Sequence, residues 1–190
     1  FPFFSVRGTN SSMPRWQRFT VIILAIAAVA VWYAVFAESR EGLTVYFFDV
    51  GQGDSIFIEA ENGNQILIDG GPGDAVLAEL GSVLPFYDRT LDMIVSTHPD
   101  ADHLNGLVEV LKRYRVGVVL ETGVLKDTAR YDEWNRLVEE QHIPIVYAVA
   151  GERFGIDSDV SMEVISPTKS EKGLAPPKVN NTSVITRLDY

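Results

Sequence analysis

Cysteine is absent from all 190 residues. Disulfide frameworks, thiolate metal sites, iron–sulfur clusters and cysteine nucleophiles are thereby excluded, and the redox compartment leaves no mark on the sequence. Any metal must sit on histidine and carboxylates. Basic residues are outnumbered, 16 Lys and Arg against 26 Asp and Glu, for a formal charge of −10. An acidic chain repels polyanions, and no local basic patch is visible, so broad electrostatic gripping of nucleic acid is disfavoured without a compensating cation. Internal repeats are lacking as well. What is present suffices to fold: 46% hydrophobic and 11% aromatic residues build a packed core and exclude a wholly disordered or collagen-like chain.

Charge is spread unevenly, with +3 on residues 1–40 and −13 on residues 41–190. Within the first part, Phe19 to Ala37 (FTVIILAIAAVAVWYAVFA) contains no charge and spans roughly 28 Å as a helix, the thickness of a bilayer core. A soluble helix of this length shows a polar face, whereas this one is apolar all round, with Trp32, Tyr33 and Phe36 near one end. Three segments are expected: a short basic N-terminal stretch (1–18), a transmembrane helix (19–37) and a globular domain (43–190). Arg15 and Arg18 precede the apolar run and Glu38 and Glu41 follow it, so the positive-inside rule keeps the N-terminus cytoplasmic and the acidic domain outside the cell membrane. The alternative is a signal sequence starting at Met13, with MPRWQR as its basic region and cleavage set by Val35 and Ala37. The apolar run exceeds the roughly 7–15 residues of a signal core, which favours a retained anchor. The opening Phe raises the expectation of further spans upstream.

Beyond Gly42 the pattern turns to short β-rich runs. Leu43 to Val50, Ser55 to Ala60 and Gln65 to Asp69 read as a three-strand antiparallel meander, its second turn marked by the Asn62-Gly63 pair. Further along, helices are expected at 74–84, 104–114 and 128–140, and strands at 91–97, 116–121, 144–149, 160–165 and 183–190, with a polar loop at 166–181. A final strand with nothing after it leaves an edge bare, so a domain incomplete at its C-terminus is expected.

The chemistry concentrates in Thr97-His98-Pro99-Asp100-Ala101-Asp102-His103, directly after a buried strand and before a helix. Neutral imidazoles and carboxylates both bind divalent cations, and a tight turn between rigid elements presents His98, Asp100, Asp102 and His103 with little ordering cost. The bland reading makes Asp100 or Asp102 a helix cap and the histidines ordinary loop residues. It accounts for one Asp, not for four residues. A calcium loop would use oxygen ligands and seldom histidine. The mixture therefore suits a transition metal or Mn²⁺.

These residues resemble the metallo-β-lactamase superfamily, whose loop reads His-x-His-x-Asp-His; here Asp100 stands in place of the second His. Within it the chain is most similar to the hydrolase-like domain of the DNA-internalisation competence proteins (ComEC-like). Phe48-Asp49-Val50-Gly51-Gln52-Gly53-Asp54-Ser55, Leu67-Ile68-Asp69-Gly70-Gly71, the Asp-bearing metal loop and Asn181 carry the resemblance, over Leu43 to Tyr190. It implies an α/β fold, the αββα four-layer sandwich, with two divalent ions, Zn²⁺ or Mn²⁺, that hold and activate a water. It further implies His98 and Asp100 as ligands of one ion, Asp102 and His103 as ligands of the other, Asp102 also orienting the hydroxide, and the remaining ligands downstream of Tyr190. Replacing a His by Asp100 makes the site harder and more anionic, which suits Mn²⁺ or Mg²⁺ as readily as Zn²⁺ and argues against a β-lactamase.

Other residues keep two readings. Asp69 either bonds a metal-bound His, as the resemblance suggests, or forms an Asx turn. Asp54 reads first as turn chemistry and second as lining the site. His142 reads as a surface or turn residue, and Trp134 and Leu137, at helical spacing, as core. Three functions follow: a membrane-anchored phosphodiesterase or nuclease of DNA uptake acting on single-stranded DNA, a surface hydrolase of another phosphorylated substrate such as a cell-wall polymer, or a non-catalytic metal-binding module. The membrane is the expected partner, and no protein partner is readable.

Overall fold

Alternation along each strand decides the architecture, because successive side chains point to opposite faces of a sheet. The computed structural model describes residues 14–36 and 42–190, with the backbone alone at 34–36. Residues 1–13, Glu38, Arg40 and Glu41, and the side chains of the candidate cleavage pair Val35 and Ala37, lie outside the described residues. The chain divides into two compact units, Phe1–Ser39 and Arg40–Tyr190. The first holds helix α1 (Arg15–Phe36), whose stretch Arg15–Tyr33 is long and apolar enough to cross a membrane and has none of its residues buried. That exposure separates it from the core helix of a soluble protein; a signal sequence would share the same properties.

In the second unit, strands β1 (Thr44–Phe47), β2 (Ile56–Glu59) and β3 (Gln65–Ile68) form the antiparallel meander. Strands β4 (Thr90–Ser96), β5 (Arg115–Glu121) and β6 (Ile145–Tyr147) then add in parallel, so the sheet runs in order β1 to β6. Helices α2 (Ala75–Val83), α3 (Ala101–Leu111) and α4 (Ala129–Glu140) connect β3 to β6 in turn. A second, antiparallel sheet comprises β7 (Arg153–Gly155), β8 (Ser161–Ser166) and β9 (Ile185–Asp189).

Two cores flank the larger sheet. Phe57, Leu67, Ile94 and Val119 face the helices and pack with Leu80, Leu104, Leu107 and Trp134. Their sheet neighbours Ile58, Ile66, Met93, Val95 and Leu120 face the other way, against Met162 and Val164 of β8. Burying each such side chain contributes about 1.5–3 kcal/mol, which fixes both the register and the stacking of the sheets. Among the described residues this gives three layers, helices over sheet over sheet, of the four in the expected sandwich. Trp134 and Leu137 are core residues.

The structure departs from the expected elements in several places. Helix α3 begins at Ala101, not Leu104, so Asp102 and His103 stand on its first turn and only His98, Pro99 and Asp100 remain in the loop. An acidic residue in the first turn complements the helix dipole, so Asp102 favours the earlier start. Strand β7 lies in a stretch with no strand expected, too short and glycine-containing to show a pattern. A 3-10 turn, Val179–Thr182, straddles the end of the expected polar loop.

Helix α3 lies unusually close to the loop after β3. Gly70 N–H donates to His103 O at 2.9 Å and Gly106 N–H to Gly71 O at 2.9 Å. A Cβ built on Gly106 would stand 1.8 Å from Gly70 O, so the two glycines are what allow the backbones to touch. Gly106→Ala is expected to lower stability by about 2–3 kcal/mol by forcing the helix off the loop. Urea unfolding of the detergent-solubilised chain, followed by tryptophan fluorescence, checks this; a midpoint equal to that of the parent chain would show that the contact is slack.

Candidate metal centre

Parallel strands β3 and β4 end side by side, with Ile68 level with Val95, and each is followed at once by polar residues: Asp69 after β3, Thr97 and His98 after β4. The carboxyl ends of parallel strands are where open α/β sheets place their sites. Asp69 sits at φ 55°, in the left-handed region that a non-glycine residue enters at a cost of order 1–3 kcal/mol. Its side chain is buried and receives three donors. Thr97 N–H reaches Oδ1 at 2.9 Å, Thr97 Oγ1–H reaches Oδ2 at 2.6 Å, and His103 Nδ1–H reaches Oδ2 at 2.8 Å.

This network assigns the protons. The single hydroxyl proton of Thr97 goes to the carboxylate, which can only accept, so the 2.9 Å contact between Thr97 Oγ1 and His98 Nδ1 has the imidazole as donor. His98 therefore carries its proton on Nδ1 and a bare lone pair on Nε2. That Nε2 is buried and has no hydrogen-bond partner. An orphaned buried nitrogen costs about 1–3 kcal/mol, a loss that a cation on the lone pair reverses. His103, with Nδ1–H on Asp69, likewise keeps its Nε2 lone pair when neutral. The two rings lie 4.1 Å apart between centroids, tilted by 47°.

Asp69, His98 and His103 offer ligand atoms within 4.8 Å of one another, and the Asp69 carboxylate already accepts three hydrogen bonds from Thr97 and His103. Through Oδ2 it anchors the imidazole of His103. Asp100 occupies the N-cap position of α3, yet its side chain makes no capping bond. Instead Oδ2 stands 3.7 Å from His98 Nε2, while Oδ1 accepts from Lys126 Nζ at 2.7 Å. Asp102 accepts from Gln52 Nε2 at 3.3 Å. The loop carrying Gln52 presses on the same residue: a Cβ on Gly53, at φ 77°, would lie 1.9 Å from Asp102 O. Pro99, Asp100, Asp102, Asn105, Lys126 and Arg130 line a cavity of about 330 Å³.

Burial is the main cause holding His98 below the usual imidazole pKa of 6.5, with the neighbouring His103 adding to it. The hydrogen bond to Asp69 lifts His103 above that value, and the charges of Asp69, Asp102 and Asp54 push the same way. The buried Nε2 of His98, the Nε2 of half-buried His103 and two partly exposed carboxylates that line a cavity suit a divalent cation bound by nitrogen and oxygen.

The structure thus brings His98, His103 and Asp100 together, with Asp102 close enough for its charge to act on both rings. Asp54 is exposed and contributes its charge and a backbone carbonyl, which accepts from Gly71 N–H at 3.1 Å. His142 lies on the surface at φ 56°, its Nδ1–H donating to Glu139 O at 2.8 Å. Sequence reasoning gave no role to Thr97, Gln52 or Lys126. Thr97 adjoins the metal motif and Gln52 belongs to the Gly-Gln-Gly-Asp turn, whereas nothing local marks Lys126.

The profile of the metallo-beta-lactamase superfamily matches residues 48–178. No curated protein sequence matches the chain. Among solved structures it is similar to the metallo-beta-lactamase fold protein YhfI from Bacillus subtilis, at 14% identity and TM-score 0.50, over 77% of this chain and 56% of that one. It is also similar to the Flv1 flavodiiron core from Synechocystis, at 14% identity and TM-score 0.45, over 65% and 33%. Zn²⁺-bound PqqB from Methylobacterium extorquens follows at 14% identity and TM-score 0.41, over 60% and 42%. These likenesses concern the fold alone, and the chain spans between 33% and 56% of the lengths of these structures.

Two outcomes are expected. Asp69→Asn, which removes the anchor of His103, should weaken Zn²⁺ or Mn²⁺ binding about 10–100-fold by calorimetry. Affinity should also fall with pH in two stages. Protons capture His103 first, because its pKa lies above 6.5, and capture His98 only below 6.5. A titration with one step, confined below pH 6.5, would contradict the assignment of His103.

Proposed function

The chain belongs to the metallo-β-lactamase superfamily, a group of metal-dependent hydrolases, and from that premise we propose that it is a membrane-anchored phosphodiesterase linked to DNA uptake. The observation that carries the hydrolase reading is the buried, unpartnered Nε2 of His98 beside His103 and Asp100. A bound divalent cation supplies Lewis acidity and brings the pKa of water down to about 7. His98 and Asp100 would hold one ion, and His103 and Asp102 a second.

The rest is the work of the chain's own side chains. Asp69 and Thr97 fix both imidazoles with their Nε2 atoms free. Asp102, which accepts a hydrogen bond from Gln52, would orient the attacking hydroxide. Lys126 and Arg130 stand on the wall of the cavity, each paired with carboxylates, Lys126 with Asp100 and Arg130 with Glu109 and Glu133. The apolar α1 would tether the unit with its acidic domain outside the membrane, N-terminus cytoplasmic, in keeping with the charges on either side of it.

DNA as the substrate rests on the motif Phe48 to Ser55 and on the Asp-bearing loop, which resemble the competence proteins. A second reading, a smaller phosphorylated substrate at the cell surface, draws support from the 330 Å³ cavity and the −13 of residues 41–190. In the presence of Mn²⁺ the detergent-solubilised chain is expected to hydrolyse bis(p-nitrophenyl) phosphate at least about tenfold faster than His98→Ala. Labelled single-stranded DNA in the same assay separates the two substrates. Equal rates for parent and His98→Ala remove the hydrolase reading, and absence of any bound metal leaves a structural module.

A further inference from the structure

Lys126 has a role that neither the fold nor the family assigns. It lies between β5 and α4 in a segment tied down on both sides: Leu125 N–H donates to Leu174 O at 2.8 Å, and Thr128 caps α4 by accepting from Tyr131 N–H at 3.2 Å. Its ammonium bonds Asp100 Oδ1 at 2.7 Å. Arg130, the other cation of the cavity, is committed to Glu109 and Glu133 and does not compete.

A carboxylate can grip a cation with one oxygen or with both. Asp100 has one oxygen on the ammonium, and its other oxygen is the one that faces His98 Nε2 at 3.7 Å. Single-oxygen binding beside an imidazole suits Zn²⁺ and Mn²⁺. Calcium, which gathers six to eight oxygens and often takes carboxylates in bidentate fashion, loses most by the restriction. The ion pair also cancels the charge of Asp100, lowering the pull of the site on hard cations that are held by charge count.

We propose that Lys126 is a positioning residue that confines Asp100 to one coordinating oxygen and so biases the centre against Ca²⁺. The inference rests on the metal reading above. Lys126 is about one-third exposed, so a neutral replacement leaves the core untouched.

Calorimetry on the full chain in detergent, with Mn²⁺ and Ca²⁺ titrated separately, tests it. In Lys126→Met and Lys126→Gln the affinity for Ca²⁺ relative to Mn²⁺ should rise about tenfold, because both Asp100 oxygens become free. Lys126→Arg, which keeps a cation on the carboxylate, should hold the parent ratio to within about twofold. Thermal unfolding of each variant checks that the fold persists. An unchanged ratio in a folded neutral variant overturns the role of Lys126 while leaving the metal centre standing. A parent chain that takes up neither cation overturns both.

Discussion

A buried carboxylate must be paired, and much of this unit is arranged so that Asp69 is. Its two oxygens take a backbone N–H, a hydroxyl and an imidazole N–H, drawn from the end of β4 and the first turn of α3. Leaving such a charge unsatisfied inside the protein costs several kcal/mol, far more than the strain of a left-handed Asp. The consequence runs outward from there. With Asp69 accepting from Thr97 and His103, both imidazoles are forced to carry their protons on Nδ1, and both Nε2 lone pairs are left for something else. The orientation of the imidazoles thus follows from satisfying one carboxylate.

That arrangement needs three segments distant in sequence to come within backbone contact. Glycine makes this possible at two places. Gly70 and Gly106 bring the loop after β3 against α3, and Gly53 lets the β1–β2 turn lean on Asp102. The Gly-Gln-Gly-Asp motif is therefore more than hairpin punctuation. Its Gln52 holds the carboxylate of Asp102, and its Asp54 carbonyl pins Gly71 beside the site. Sheet packing supplies the rigid floor, since Ile94 and Val95, just before the site, are fully buried on opposite faces.

How much of this was legible follows from the range over which each feature is encoded. The meander, the parallel strands and the helices are written in local periodicity and turn residues, and the sequence reading finds nearly all of them. His98, Asp100, Asp102 and His103 are conspicuous for their density. What the sequence hides is choice of partner. The pattern at Asp100 equally suits a helix cap, and only the fold reveals that its side chain turns from the helix to Lys126 and His98. Lys126 itself lies 26 residues from Asp100, beyond any periodicity. The start of α3 is misjudged for a related reason: a cluster of polar residues looks like loop when its polarity serves a site and not the solvent. Strand β7 escapes because three residues are too few for alternation to register.

The charge balance around the site carries the last step. A unit this acidic has no difficulty attracting cations; its difficulty is discriminating among them. Arg130 on the cavity wall and Lys112 share Glu109 and Glu133, a partly exposed network whose charges cancel. Lys126 cancels Asp100 in the same way. Of the candidate ligands His98, Asp100, Asp102 and His103, Asp102 is thus the carboxylate with no Lys or Arg partner among the described residues. Imidazole nitrogens favour borderline metals, whereas bare negative charge favours hard cations. In the proposed centre the neutralised carboxylate and the two imidazoles would work to the same end, an acidic surface whose preference is set by ligand type.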